Sequence, residues 1–321
     1  MPYSQPPIWL DQEGVVKLLP DIDLLSVMRE TFEAFGQGKA IQPPQALTAF
    51  SANRGDFITY SGVLEAEGVF GAKLSPYIVG EDGSKVTAAT LLMDMRTGMP
   101  LFLCDSLVLT TERTAATTAL AVDLLASNAA ENLAIVGAGP VALAHLRQVL
   151  PLRNWKTIRI FSPNIASRKD ELLSKLGPLA SRIEFVSDRT AIAKDADVIM
   201  LCTSSGKPVI DYEAISKGTL VTSISTNVAD AHEVAPSFLP LSNVYCDART
   251  TTPAIAGEMR LAGELGWSAD EILGDLADLV CSRARMADPN RPSFFRSMGL
   301  GIEDISVALA VYRRFLTGSN I

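Results

Sequence analysis

The chain has 321 residues, 48% hydrophobic and 20% charged, with a formal net charge of −8. This length and polarity suit two ordinary domains, each large enough to bury its own core. The acidic balance excludes a general binder of nucleic-acid backbone, which needs a basic face to neutralise phosphates.

Met1-Pro-Tyr-Ser-Gln-Pro-Pro has no basic stretch leading into an apolar one, and no segment carries the about 20 apolar residues of a membrane span. A cytoplasmic protein without a membrane partner is expected. Apolar side chains at helical spacing over 21–38, running into Gly36 and Gly38, predict an amphipathic helix. Short runs at 56–60, 69–75, 86–93 and 100–104, separated by Gly, Asp and Asn, predict a meandering sheet in an α+β half. From about residue 110 the rhythm changes. An alanine-rich helix is predicted over 114–126, then a strand at Leu133, a helix from Val141, a strand over 157–161 and a helix from Ser167. Strands over 182–186, 197–202, 219–224 and 243–246 follow, and a last helix over 303–316 is placed to return to the first half. Such alternation predicts an α/β fold with a doubly wound parallel sheet of the Rossmann type, helices covering both faces. Cys104, Cys202, Cys246 and Cys281 form no C-x-x-C pair, and His145 and His232 are the only histidines, so buried reduced thiols are expected and a metal site is not.

The strongest motif is Leu133-Ala-Ile-Val-Gly137-Ala-Gly139-Pro140-Val141-Ala142, an apolar strand meeting a G-x-G-x-x-A turn that opens a helix. Backbone without Cβ atoms approaches a pyrophosphate closely and offers it the positive end of the helix. After the second strand, an NAD-selective site carries a carboxylate for the adenosine ribose. Here stand Phe161-Ser162-Pro163-Asn164 and then Ser167-Arg168-Lys169. Hydroxyls, an amide and two cations suit a 2′-phosphate, which favours NADP(H) and leaves NAD(H) open.

The runs Lys73-Leu-Ser-Pro76, Met93-Asp94-Met-Arg-Thr97-Gly98-Met-Pro100, Leu109-Thr-Thr-Glu-Arg113-Thr114-Ala115-Ala116, the Gly137 turn and Ser297-Met-Gly299-Leu-Gly-Ile-Glu-Asp304 occur in this order. Together they resemble the ornithine cyclodeaminase and mu-crystallin family over nearly the whole chain. The resemblance implies a homodimer, with a split α+β substrate and dimerisation domain (1–112 and 300–321) around a Rossmann domain (113–299). It implies Arg113 as the carboxylate-binding residue and Lys73 as the catalytic lysine. Arg113, Thr114, Thr203, Ser204, Ser225, Asn227, Ser297 and Gly299 complete the expected cofactor contacts beside the glycine turn.

Hydride exchange at an amino-acid α-carbon needs a cation for the carboxylate and a proton carrier at nitrogen. Lys73 lies in an apolar strand, where burial lowers its pKa towards a useful range, and Arg113 offers a rigid fork. Two positions depart from the family pattern. Pro43-Pro44-Gln45 replaces an arginine that follows paired prolines in many members, leaving Arg54 as the only nearby substitute. In Ser223-Ile-Ser-Thr-Asn227-Val-Ala-Asp230, Asn227 stands where cyclodeaminases and alanine dehydrogenases carry a catalytic aspartate; Asp230 is the candidate replacement. An amide cannot take up a proton at neutral pH, although Asn227 can still orient an amine or imine by hydrogen bonding. The reading is therefore an NAD(P)-dependent oxidoreductase acting on an L-amino acid or α-imino acid. The acidic residues Glu65, Glu67, Glu81 and Asp82 lean it towards a basic substrate such as L-arginine. Cyclic ketimine reduction of Δ1-pyrroline-2-carboxylate, cyclodeamination and a non-catalytic NADPH binder are the alternatives.

Overall fold

The computed structural model describes residues 6–225 and 230–318. The chain divides into two compact units, Met1–Arg113 with Gly299–Ile321, and Thr114–Met298.

The first unit is an eight-stranded sheet. Its strands are β1 (Ile8–Leu10), β2 (Ala40–Ile41), β3 (Ala46–Ala49), β4 (Gly55–Leu64), β5 (Val69–Gly80), β6 (Gly83–Val86), β7 (Ala89–Asp94) and β8 (Pro100–Asp105). The order β1-β8-β7-β5-β4-β2, with β3 on β4 and β6 on β5, is antiparallel except for β1, which runs parallel to β8. The predicted meander is present, but β4 and β5 each run five residues longer than expected, paired from Gly55↔Ile78 to Leu64↔Val69. Gly62, inside β4, is a point of close approach, because a Cβ there would lie 2.9 Å from the Ile302 nitrogen. Helix Gly301–Gly318 lies on β4, β5 and β7 and against helix Leu24–Gly36. Helix Leu24–Gly36 begins three residues later than predicted because Asp23 caps it, accepting from the Ser26 N–H at 3.1 Å. Met28, Phe32, Leu92, Phe102 and Ile305 are buried between helices and sheet.

The second unit holds β9 (Asn132–Val136), β10 (Thr157–Phe161), β11 (Ile183–Val186), β12 (Val198–Leu201), β13 (Leu220–Ser223), β14 (Asn243–Cys246), β15 (Gly274–Asp275) and β16 (Ser293–Arg296). All pairs are parallel, in the order β11-β10-β9-β12-β13-β16-β14-β15. The chain thus fills one side of β9 and then the other, which makes β9/β12 the topological switch point of a Rossmann-type sheet. Ile135, Ile199, Leu201, Val221 and Phe294 are continuous apolar burial of the kind a doubly covered parallel sheet requires. Strand β16, between β13 and β14, is absent from the sequence reading; four residues ending in Arg296 carry no periodic signal. Two helices start earlier than predicted. Leu107–Leu125 opens where Asp105 accepts the Leu107 N–H at 3.0 Å, and Ile165–Leu176 opens two residues before Ser167. Among the described residues no helix is long and apolar enough to cross a membrane.

Candidate active site

Strand β5 alternates its side chains, so Lys73 faces helix Gly301–Gly318 while Leu74 points to the opposite face. Lys73 is 1% exposed. The helix start comes very close to β4: a Cβ on Gly301 would stand 2.1 Å from the Ser61 carbonyl oxygen. This seats Glu303 and Asp304, in the helix's first turn, on the sheet surface, where the helix dipole favours their charge. Lys73 Nζ lies 3.0 Å from Asp304 Oδ1 and 2.9 Å from Oδ2, and donates to Thr110 Oγ1 at 3.3 Å. Its ammonium sits 4.2 Å from the Tyr60 ring centroid, within cation–π range.

Burial pushes the Lys73 pKa down to about 8; Asp304 opposes that shift and Arg113 adds to it. A lysine so placed exchanges a proton near neutral pH, which a solvated one at its usual value does not.

Arg113 donates from Nε to Asp304 Oδ1 and from one terminal nitrogen to Glu303 Oε2, both at 2.8 Å. Burial works against the guanidinium's charge, but Asp304 and Glu303 outweigh it and raise its pKa. Gly299, at φ +81°, leaves the space the guanidinium fills: a Cβ there would stand 2.4 Å from one terminal nitrogen. The sequence aims this fork at a substrate carboxylate; in the structure two of its donors are taken by the protein's own carboxylates. Glu303 and Asp304 are the residues sequence reasoning missed. The signal was present: adjacent acids in the first turn of a largely apolar helix, beginning two residues after Gly301.

In the second unit, the turn after β9 has two glycines with different reasons. Gly137 takes φ +125°, and a Cβ would meet the Cys202 carbonyl oxygen at 2.4 Å, so the fold itself requires it. Gly139 has an ordinary φ of −83°, and a Cβ there would meet nothing within 4 Å. No internal contact demands it, and it caps the ten-residue helix Pro140–Val149 without a side-chain bond. Open space above uncapped helix N–H groups fits a dinucleotide pyrophosphate. Gly139→Ala is accordingly expected to melt like the parent yet bind NAD(P)H about tenfold or more weakly. Melting curves and fluorescence titration check both halves; unchanged affinity would remove the turn from the site.

Several other candidate residues follow the ends of strands or open helices in the second unit. Pro140 and Val141 open the helix; Ser162 and Asn164 follow β10. Arg168, in the first turn of its helix, pairs with Glu171 at 3.2 Å. Ser204 is exposed after β12. The hydroxyls of Thr203 and Ser297 turn inward, to Glu233 at 2.7 Å and to Asp247 at 3.2 Å. Thr114 follows Arg113 in its helix, half-buried. Asn227 lies outside the described residues. Asp230 is ion-paired with Arg260 and more than half exposed, not held as a buried acid. Arg54 is spent locally on Ser51. Nor do the acidic residues proposed for a guanidinium gather at Lys73. Glu67 pairs with Arg313, and Glu81 and Asp82 cap the β5–β6 hairpin, about 26 Å along the strand from Lys73 at 3.3 Å per residue.

Fold and site define a Rossmann-type α/β protein with a lysine-centred cluster of buried charges. The ornithine cyclodeaminase/mu-crystallin family model matches residues 9–319, and the chain belongs to that family. It is 50% identical over 308 residues to the NAD(P)H-dependent anabolic L-arginine dehydrogenase DauB of Pseudomonas aeruginosa, covering 96% of this chain and 97% of that one. It is 29% identical over 228 residues to a Δ1-pyrroline-2-carboxylate reductase of Colwellia psychrerythraea, covering 70% and 72%. Among solved structures, the Thermococcus litoralis Δ1-pyrroline-2-carboxylate reductase in complex with NADH and L-proline superposes with a TM-score of 0.88 at 24% identity, covering 97% and 98%.

Proposed function

We propose that this chain is an NAD(P)-dependent oxidoreductase exchanging hydride between nicotinamide and the α-carbon of an L-amino acid or its imine, with L-arginine the leading substrate. The observation that carries the reading is Lys73, wholly buried yet held by Asp304 and Thr110 with its pKa drawn down to about 8. The 50% identity to an L-arginine dehydrogenase supports the substrate class. Reduction of Δ1-pyrroline-2-carboxylate is the second reading, favoured by the Colwellia relative.

The cofactor, when bound, supplies or accepts the hydride. The chain's own residues manage charge and protons. Lys73 carries the proton at the substrate nitrogen, Asp304 holds its Nζ in place, and Thr110 fixes a second direction. Arg113 gives the substrate carboxylate a fixed cation, and Glu303 keeps that cation oriented. Two cations and two carboxylates cancel, so burying the cluster leaves no net charge uncompensated.

The proton state of Lys73 sets the pH dependence. Reduction of an imine draws on the ammonium, so its rate falls as pH rises through about 8; oxidation of an amino acid needs the free amine and rises through the same range. The test is nicotinamide absorbance at 340 nm with a panel of L-amino acids, 2-oxo acids plus ammonia, and cyclic imines, with NADPH and NADH in parallel. L-Arginine oxidation, or reduction of its 2-oxo acid with ammonia, with the opposed pH limbs is expected. Tight NADPH binding without turnover on any substrate would leave a non-catalytic binder.

NADP(H) is the favoured cofactor, because β10 ends without a carboxylate and Arg168 stands in the next helix. The protein is read as a homodimer: Leu47, Tyr77, Val79 and Val86 leave large apolar side chains exposed on one face of β3, β5 and β6, which a second copy would cover. Four free cysteines, three of them buried, support a reducing cytoplasmic setting.

A further inference from the structure

Glu233 is completely buried, and its carboxylate gathers four hydrogen bonds from two separate segments. Oε1 accepts the backbone N–H and the hydroxyl of Thr203, both at 2.7 Å. Oε2 accepts the Ser223 hydroxyl at 2.7 Å and the Ser225 N–H at 2.9 Å. Thr203 stands two residues beyond β12 and Ser225 two beyond β13, so one side chain ties together the outlets of neighbouring strands. Ser225 takes φ +37°, a left-handed backbone that serine seldom adopts, and its N–H bond to Glu233 opposes relaxation. Glu233 is itself anchored. Its carbonyl accepts from the Val209 N–H at 2.8 Å, and its neighbour Val234 is wholly buried. Gly257 lets the backbone pass so near Ala231 that a Cβ would stand 2.4 Å from its oxygen.

In a doubly wound sheet the two halves each take one mononucleotide, on either side of the switch point. The Gly137 turn and β10 form the adenosine side, which leaves β12 and β13 to the nicotinamide. We infer that Glu233 is a positioning residue for the nicotinamide half of the cofactor: it fixes the rims at Thr203 and Ser225 in the geometry that half requires. The inference rests on the dinucleotide reading of the same sheet.

Glu233→Gln tests it. Each carboxylate oxygen serves one backbone N–H, so a glutamine must turn its amide NH2 towards Thr203 or Ser225 whichever way it flips, and one rim is released. NADPH affinity is expected to fall about tenfold. Affinity for 2′-phospho-ADP-ribose, which keeps the adenosine and pyrophosphate but lacks nicotinamide, is expected to stay within about twofold. The pair NADH and ADP-ribose repeats the comparison for the other cofactor. An equal loss for both members of a pair, or unchanged NADPH affinity in a folded variant, overturns the inference. Should Glu233→Gln fail to fold, Ser223→Ala removes one of the four donors, and the same split is expected at about threefold. If the unmodified protein binds neither ligand, it is the dinucleotide reading that fails.

Discussion

Replacing Lys73 with alanine is expected to lower turnover by about 10²- to 10⁴-fold, the range that a positioned proton carrier contributes. NADPH affinity should remain that of the parent, since the Gly137 turn and its rim keep all their own bonds. The two measurements separate a catalytic lysine from a structural one. Lys73 makes the contacts a structural cation would also make, with Asp304 at 3.0 Å and the Tyr60 ring at 4.2 Å. Its lowered pKa tips the balance, because a purely structural ion pair gains from a lysine kept firmly charged. The lost rate should therefore carry the pH limb near 8 with it. If turnover survives and only the melting temperature drops, the lysine is scaffolding.

Asp304→Asn should damage both stability and chemistry. Asp304 meets Lys73 and Arg113 together, and all three side chains are almost completely shielded from water. Removing the carboxylate charge leaves two buried cations facing Glu303 alone, a loss of about 3–5 kcal/mol by the usual cost of breaking a buried pair. At about 2–4 °C per kcal/mol for a domain of 150–250 residues, the melting temperature should fall by roughly 6–20 °C. The chemical effect has a definite sign. Asp304 raises the Lys73 pKa against desolvation, so without it that pKa falls further below 8. The rising limb for amino-acid oxidation then shifts to lower pH, and the falling limb for imine reduction shifts the same way. A variant with parental melting and an unmoved pH profile would show that Asp304 does not govern Lys73.

Much of this molecule is legible from its residues because the relevant signals are local. The Gly137 turn, the strand at Thr157–Phe161 and the strand at Asn243–Cys246 each carry their pattern within ten residues, and each lies where the spacing predicts. Lys73 and Arg113 stand out as cations in otherwise apolar or alanine-rich runs. Their partners do not, because Asp304 lies 231 residues from Lys73 and Glu303 190 residues from Arg113. No periodicity links residues so far apart. Ser162, Asn164 and Arg168 read as a phosphate site from composition, while the structure engages Arg168 with Glu171 on the same helix. Strand β16 escapes for a different reason: its final residue, Arg296, is buried against Glu258, so a charge that reads as surface belongs to the interior.

The path of the chain through the first unit sets an order of assembly. Thr114–Met298 is one uninterrupted stretch and can fold once synthesised, whereas the sheet carrying Lys73 waits for helix Gly301–Gly318. Until that helix docks, Lys73 and Arg113 lack both counterions and β4 and β5 lack their apolar cover. During synthesis the second unit can therefore be complete before the charge cluster of the first unit forms. Because the last helix brings both carboxylates and much of the covering surface, reactivity and completion of the fold arrive in a single late, long-range step.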